Sequence, residues 1–180
     1  MSRNLDKLVV GLGNPGGKYK GTRHNVGRMA VELFQESLGA FGGSVEVLLP
    51  DTYMNLSGGP VAKALQKNTG SELVIVHDDI DLPYGEVKVS VARGSGGQKG
   101  VEDIIKAVGT KEFTRVRIGI VPVFFGKPRK PKGGEAVSRF VLKKFGITER
   151  GKLPEILNRA SNAIIEIIKN GTDSAMNKFN

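Results

Sequence analysis

Two histidines, His24 and His77, are the only side chains of this sequence whose ordinary pKa suits a general base near neutral pH. There is no cysteine, which excludes thiol catalysis, a disulfide framework and a Cys-based zinc site. His24 lies near the end of the stretch 8–25, LVVGLGNPGGKYKGTRHN, where a short apolar run breaks into glycines. As a residue type it leaves two readings open, a general base or a histidine that simply begins a helix. His77 opens His77-Asp78-Asp79-Ile80-Asp81. Three carboxylates beside an imidazole suggest a divalent metal, but Asp78 and Asp79 on extended chain point to opposite faces. A carboxylate that orients a histidine is the commoner use of such a residue. His77 itself reads as the end of a buried strand with a structural hydrogen bond.

Two glycine motifs fail on their context. Gly11, Gly13 and Gly16 spell the dinucleotide-binding fingerprint after a strand. Pro15 interrupts it, and helical periodicity starts only near Val26, so a pyrophosphate would find no helix N-terminus. In Arg93–Gly100, Gln98 stands before Lys99 where a phosphate-binding loop needs glycine, and Gly100 follows where Ser or Thr should hold the metal.

The elements that must position these residues follow from apolar spacing. Leu8–Val10 and Leu73–Val76 are continuous apolar runs, as in strands buried on both faces. Val45–Leu49, ended by Pro50, is a third strand after a glycine turn at Gly42 and Gly43. Val87, Val89 and Val91, then Val116, Ile118 and Ile120, alternate as strands do. Helical spacing marks 26–38 with Gly39 as its stop, and 101–108. Ser57 is the expected N-cap of a helix at 59–67 with Pro60 in its first turn. Residues 137–145 and 153–169 read as two closing helices. Pro122–Gly134, PVFFGKPRKPKGG, reads as a mobile loop carrying Lys127, Arg129, Lys130 and Lys132. The expected fold is a single α/β domain spanning 1–180, with a mixed, largely parallel sheet flanked by helices on both faces, a three-layer α/β/α arrangement. Ligands of such sheets gather beyond the carboxyl ends of strands, which places Asn14 and Asp78 on one edge.

A chain of 180 residues with 25 glycines and 39% hydrophobic content suits such a domain. Its net charge of +9 leaves two readings open, a polyanion partner, nucleic acid first, or a solubility charge with no target. The N-terminal stretch lacks the pattern of a signal peptide, and no apolar run approaches the ~18 residues of a membrane helix. A soluble, cytoplasmic protein is expected, with monomer as the default state.

Taken together, GLGNPG at 11–16, Tyr19, TRHN at 22–25, TYMNLSG at 52–58, HDDIDLP at 77–83, RVRIGI at 115–120 and AMNKFN at 175–180 resemble the bacterial-type peptidyl-tRNA hydrolases, in that family's order and essentially end to end. The resemblance implies hydrolysis of the ester between a peptide and the 3′-terminal ribose of tRNA, recycling the tRNA, with no metal and no organic cofactor. Peptidyl-tRNA is the implied partner, and no membrane is involved. It makes His24 the general base, Asp78 its orienting carboxylate, and Asn14 and Asn55 the active-site asparagines. Met54 lines the peptide cleft, Tyr19 stands near its entrance, and Arg117 matches a basic position that clamps tRNA phosphate. Lys99 replaces the usual asparagine of the glycine loop and is expected to meet the tRNA 3′ end electrostatically. Ser90 stands where a lysine is common. A non-catalytic RNA-binding relative, like the splicing proteins that share this fold, is the alternative. Retention of Asn14, His24, Asn55 and Asp78 together favours the enzyme.

Overall fold

The computed structural model describes residues 6–41 and 44–180, so the turn expected at Gly42 and Gly43 lies outside the described residues. Five strands form the main sheet: β1 (Lys7–Gly11), β2 (Val45–Leu48), β3 (Glu72–Pro83), β4 (Val87–Val91) and β5 (Thr114–Val121). Their spatial order is β2-β1-β3-β5-β4. All neighbours run parallel except β4, which lies antiparallel on β5. The expected mixed, largely parallel sheet is therefore the observed one.

Helices cover both faces. α1 (Val26–Gln35), α5 (Ile147–Asn170) and α6 (Thr172–Phe179) belong to one layer, where Val26, Ala30 and Phe34 join Ile164, Ile167 and Ala175 over Val9, Val76 and Ile118. On the other face, α2 (Gly58–Lys67) and α3 (Lys99–Val108) bring Val61, Val101 and Ile104 against Leu8, Val10 and Ile75. Consecutive residues of β1 thus feed opposite cores, which is why that strand reads as one unbroken apolar run.

Several boundaries differ from those the sequence predicts, each for a local reason. α1 stops at Gln35 and the chain leaves through a 3₁₀ turn, Leu38–Phe41, that sets Phe41 against Phe34 with ring centroids 5.9 Å apart. Ser57 precedes α2 but does not cap it. Its hydroxyl donates to the Met54 carbonyl at 2.8 Å, and Asp103 accepts the Gly58 N–H at 2.7 Å instead. β3 runs beyond Val76 to Pro83, so Asp78 lies inside a strand rather than after one. The fourth helix, α4 (Gly134–Val141), ends before 145 because the Lys143 and Lys144 carbonyls turn to the Arg23 guanidinium. α5 begins at Ile147, ahead of Pro154, because Glu149 accepts the Gly146 N–H at 2.6 Å and pairs with Arg23. The stretch 122–134 is not a plain loop, since β6 (Val123–Phe124) and β7 (Lys127–Pro128) pair in a hairpin.

At the free edge of β4, the side chain of Asn180 accepts the Val89 N–H and donates to the Val89 carbonyl, both at 2.9 Å.

α1 lies unusually close to the sheet. A Cβ at Gly27 would stand 2.2 Å from the Val76 carbonyl oxygen and 2.8 Å from the His77 Cα. Gly13 is similarly pressed, 2.9 Å from the Arg28 Cβ. These glycines allow backbone approach, which is a different use from cradling phosphate. Gly27→Ala is therefore expected to destabilise the protein by about 1–3 kcal/mol, the usual range for overpacking. Urea unfolding of the two proteins measures this, and an unchanged midpoint would contradict it.

Candidate active site

β1 and β3 deliver their carboxyl-side residues to the floor of a cleft of roughly 430 Å³. Asn14, His24, Asp78, Met54, Asn55 and Lys99 line it, together with the glycine loop at 95–97. α4 supplies an apolar wall through Val137, Val141 and Leu142.

The centre of the cleft is a contact between residues 54 positions apart: His24 Nδ1 lies 2.9 Å from Asp78 Oδ2. A carboxylate accepts, so Nδ1 carries the proton and Nε2 keeps its lone pair. Both side chains are largely withdrawn from solvent, at 12% and 4% exposure. His24 sits in the 3₁₀ turn Arg23–Asn25, and its neighbours hold that turn on both sides. Asn25 Oδ1 accepts the Asn14 N–H and its Nδ2 donates to the Asn14 carbonyl, both at 2.9 Å. Arg23, buried, pairs with Glu149 at 2.6 Å and lies over the rings of Phe140 and Phe145.

The other Asp78 oxygen is also engaged. Gln98 Nε2 donates to Asp78 Oδ1 at 2.9 Å, while Gln98 Oε1 accepts the Val101 N–H at 2.8 Å as the N-cap of α3. The glutamine thus anchors Asp78 to a helix end and has its own amide orientation fixed in return. Asn14 Oδ1 accepts the Met54 N–H at 2.7 Å. Its Nδ2 remains available to donate into the cleft. Asn55 is exposed in the turn Met54–Leu56 on the cleft rim. Lys99 is exposed at the first position of α3, where the helix dipole disfavours a cation.

Two expected residues stand apart from the cleft wall. Tyr19 is half-buried and meets the Tyr53 ring edge-on, with centroids 6.2 Å apart, and only Tyr53 reaches the cleft. Arg117 donates from Nε to Asp79 Oδ2 at 2.7 Å, so its charge is already matched. Asp78 and Asp79 serve different partners, as their opposite directions on the strand require. Ser90 is buried in β4 with no partner for its hydroxyl. Gln98, Asn25 and Arg23 were not singled out from the sequence. Asn25 and Arg23 flank His24 directly, which is the one signal that pointed to them, whereas nothing local pairs Gln98 with Asp78.

The two imidazoles are tuned in opposite directions. For His24, burial disfavours the charged form most strongly, yet the charge and hydrogen bond of Asp78 outweigh it, with Lys99 opposing, and its pKa is raised. His77 is fully buried; burial, then the Arg115 charge, lower its pKa to about 4. Its Nδ1–H donates to the Asp78 carbonyl at 2.7 Å, the structural bond expected of it, and Nε2 has no partner. NMR titration of the imidazole C–H signals should place His24 above 6.5 and His77 near 4, with Asp78→Asn moving His24 down. In the unfolded chain His77 takes its proton near 6.5, so its contribution to stability is present above that pH and is lost as pH falls toward 4. A His77 that titrates normally in the folded protein would contradict this geometry.

The family model described as peptidyl-tRNA hydrolase matches residues 8–180. Among similar sequences, the peptidyl-tRNA hydrolase of Syntrophotalea carbinolica is 37% identical, covering 97% of this chain and 96% of that one. That of a Sulfurihydrogenibium species is 40% identical, covering 97% of each. Among solved structures, peptidyl-tRNA hydrolase from Acinetobacter baumannii superposes with a TM-score of 0.80 at 31% identity, covering 98% of this chain and 95% of that one. Matched over nearly its whole length in both sequence and fold, this chain belongs to the peptidyl-tRNA hydrolase family.

Proposed function

We propose that the protein hydrolyses the ester between the peptide and the terminal ribose of peptidyl-tRNA, with His24 as general base. The observation that carries this reading is the His24–Asp78 contact at 2.9 Å inside a cleft that also holds Asn14 and Asn55. Nε2 of His24 removes a proton from water as the oxygen attacks the ester carbonyl. Asp78 keeps the imidazole in the required tautomer and stabilises the imidazolium that forms. The tetrahedral intermediate collapses with loss of the ribose oxygen, which receives the proton back from His24, and the peptide leaves as a carboxylic acid. Asn14 Nδ2, held by the bond of Oδ1 to Met54, is the donor for the developing oxyanion. Asn55 grips the peptide backbone, a mode of contact that reads no side chain. Met54 backs this part of the cleft. Lys99 attracts the phosphates of the tRNA 3′ end. Tyr19 supports Tyr53 at the rim, and Arg117 would contact phosphate only by giving up part of its bond to Asp79.

An ester of this kind is activated enough that no covalent nucleophile is needed, and a positioned base is worth about 10²–10⁴-fold. Single-turnover release of labelled peptide from peptidyl-tRNA should fall by about that factor in His24→Ala, with tRNA binding retained. Since the base acts neutral, wild-type rates should rise with pH through the raised His24 pKa. RNA binding without peptide release by the wild type would instead identify the non-catalytic alternative.

The basic residues Lys127, Arg129, Lys130 and Lys132 supply sequence-independent phosphate contact. Replacing all four with Ser should flatten the dependence of tRNA affinity on salt concentration. An unchanged slope would exclude them from the interface.

A further inference from the structure

The hairpin of β6 and β7 carries an exposed apolar group that its own fold does not use. Val123, Phe124 and Phe125 are consecutive and exposed, and Phe125 is fully so. The turn between the strands is Phe125-Gly126, with φ of +49° and +74°. Two-residue turns with both central φ positive normally take Asn or Asp before Gly, and an aromatic side chain in the left-handed region is strained. The turn therefore accepts a conformational cost in order to hold a bare aromatic ring at its tip. The same hairpin carries cations. Lys127 follows the turn, Arg129 lies over the Phe124 ring at 5.3 Å, and Lys130 pairs with Asp81 of β3. The Asp81 contact ties the hairpin's base beside Ile80 of the cleft floor, and the chain then enters α4, the apolar cleft wall.

An exposed aromatic ring on a cationic hairpin is the combination that binds single-stranded nucleic acid, phosphates on the charges and a base on the ring. We propose that Phe125 is a stacking platform for an unpaired nucleotide of RNA. Phe124 and Arg129 form the flank of that platform. This inference rests on the reading of the chain as acting on tRNA, and it adds a contact to the base where the cationic residues alone would bind any polyanion.

The protein has no tryptophan, so Phe125→Trp places a single indole at the tip. Titration with an unpaired RNA tetranucleotide should quench its fluorescence, and a blunt RNA duplex with the same number of phosphates should not. Phe125→Asn suits the positive φ better than the native residue, so a loss in that variant does not reflect a damaged hairpin. It should weaken tetranucleotide binding by about fivefold or more, the usual effect of removing one stacking ring, with no fall in Tm. Anisotropy of a labelled tetranucleotide reports binding independently of the indole. Binding without quenching, equal quenching by duplex, or undiminished affinity of Phe125→Asn would each overturn the platform. A blue shift on anionic phosphatidylglycerol vesicles with no response to RNA would also overturn it, in favour of a lipid surface. Peptide release by the wild-type protein is measured in parallel. Release with no stacking removes only this inference, while absence of release removes the catalytic reading and leaves the tetranucleotide result to decide the hairpin.

Discussion

The contact on which the rest depends is the absence of a side chain at Gly27. It lets the first turn of α1 rest directly on the Val76–His77 backbone. Backbone bonds stitch the same point: Leu12 N–H to the Val76 carbonyl and Arg28 N–H to the Leu12 carbonyl, both at 3.0 Å. Three segments distant in sequence are thereby held together at one point. His24, three residues before Gly27, and Asp78, two after Val76, acquire their 2.9 Å contact from that junction. In the proposed mechanism a base is useful only when its orientation precedes the substrate, and the backbone supplies that orientation.

The electrostatics of β3 follow from strand alternation. Asp78 and Asp79 point to opposite faces, so one strand feeds a hydrogen bond with His24 and an ion pair with Arg117. Two adjacent carboxylates would repel if they shared a site, but here each has its own partner, an imidazole N–H for Asp78 and a guanidinium for Asp79. For Asp79, burial opposes the charged form most, while the Asp81 N–H and Arg117 prevail and hold its pKa low. Between the aspartates and the apolar run sits His77, which stays neutral and spends its one N–H on the strand itself. The two histidines of the chain therefore differ in role because they differ in company: one faces a carboxylate, the other faces Arg115.

The five strands are legible in the sequence because each contains a short apolar run or an alternation, although burial departs from the alternation in β4, where Ser90 is buried and Val91 exposed. The bodies of the helices are legible for the same reason. Their ends are less so where a distant residue sets them. Arg23 takes the carbonyls that would have prolonged α4, and Glu149 starts α5 a full turn and more ahead of the proline. The hairpin escapes notice because Phe-Gly is not the usual turn pair. At the site, His24 and Asp78 are conspicuous by type, but the roles of Asn14, Asn55, Met54 and Tyr19 come from family resemblance, since amides and thioethers carry no signature of their own. Gln98 marks the limit. Its side-chain bonds reach Met54, Asp78 and Val101, at 44, 20 and 3 positions' distance, and the one that touches Asp78 is invisible to local spacing.

The side chain of Asn180 bonds both to the N–H and to the carbonyl of Val89, and so imitates one rung of a further strand. An open edge of alternating valines is a template on which another chain can add, and proteins commonly guard such edges with charge or proline. Here an amide closes the middle of the strand, and α6, which ends beside it, stands in the way of an approaching neighbour. This edge of the sheet is in that sense closed to further pairing at Val89, by a side chain that lies outside the cleft lining.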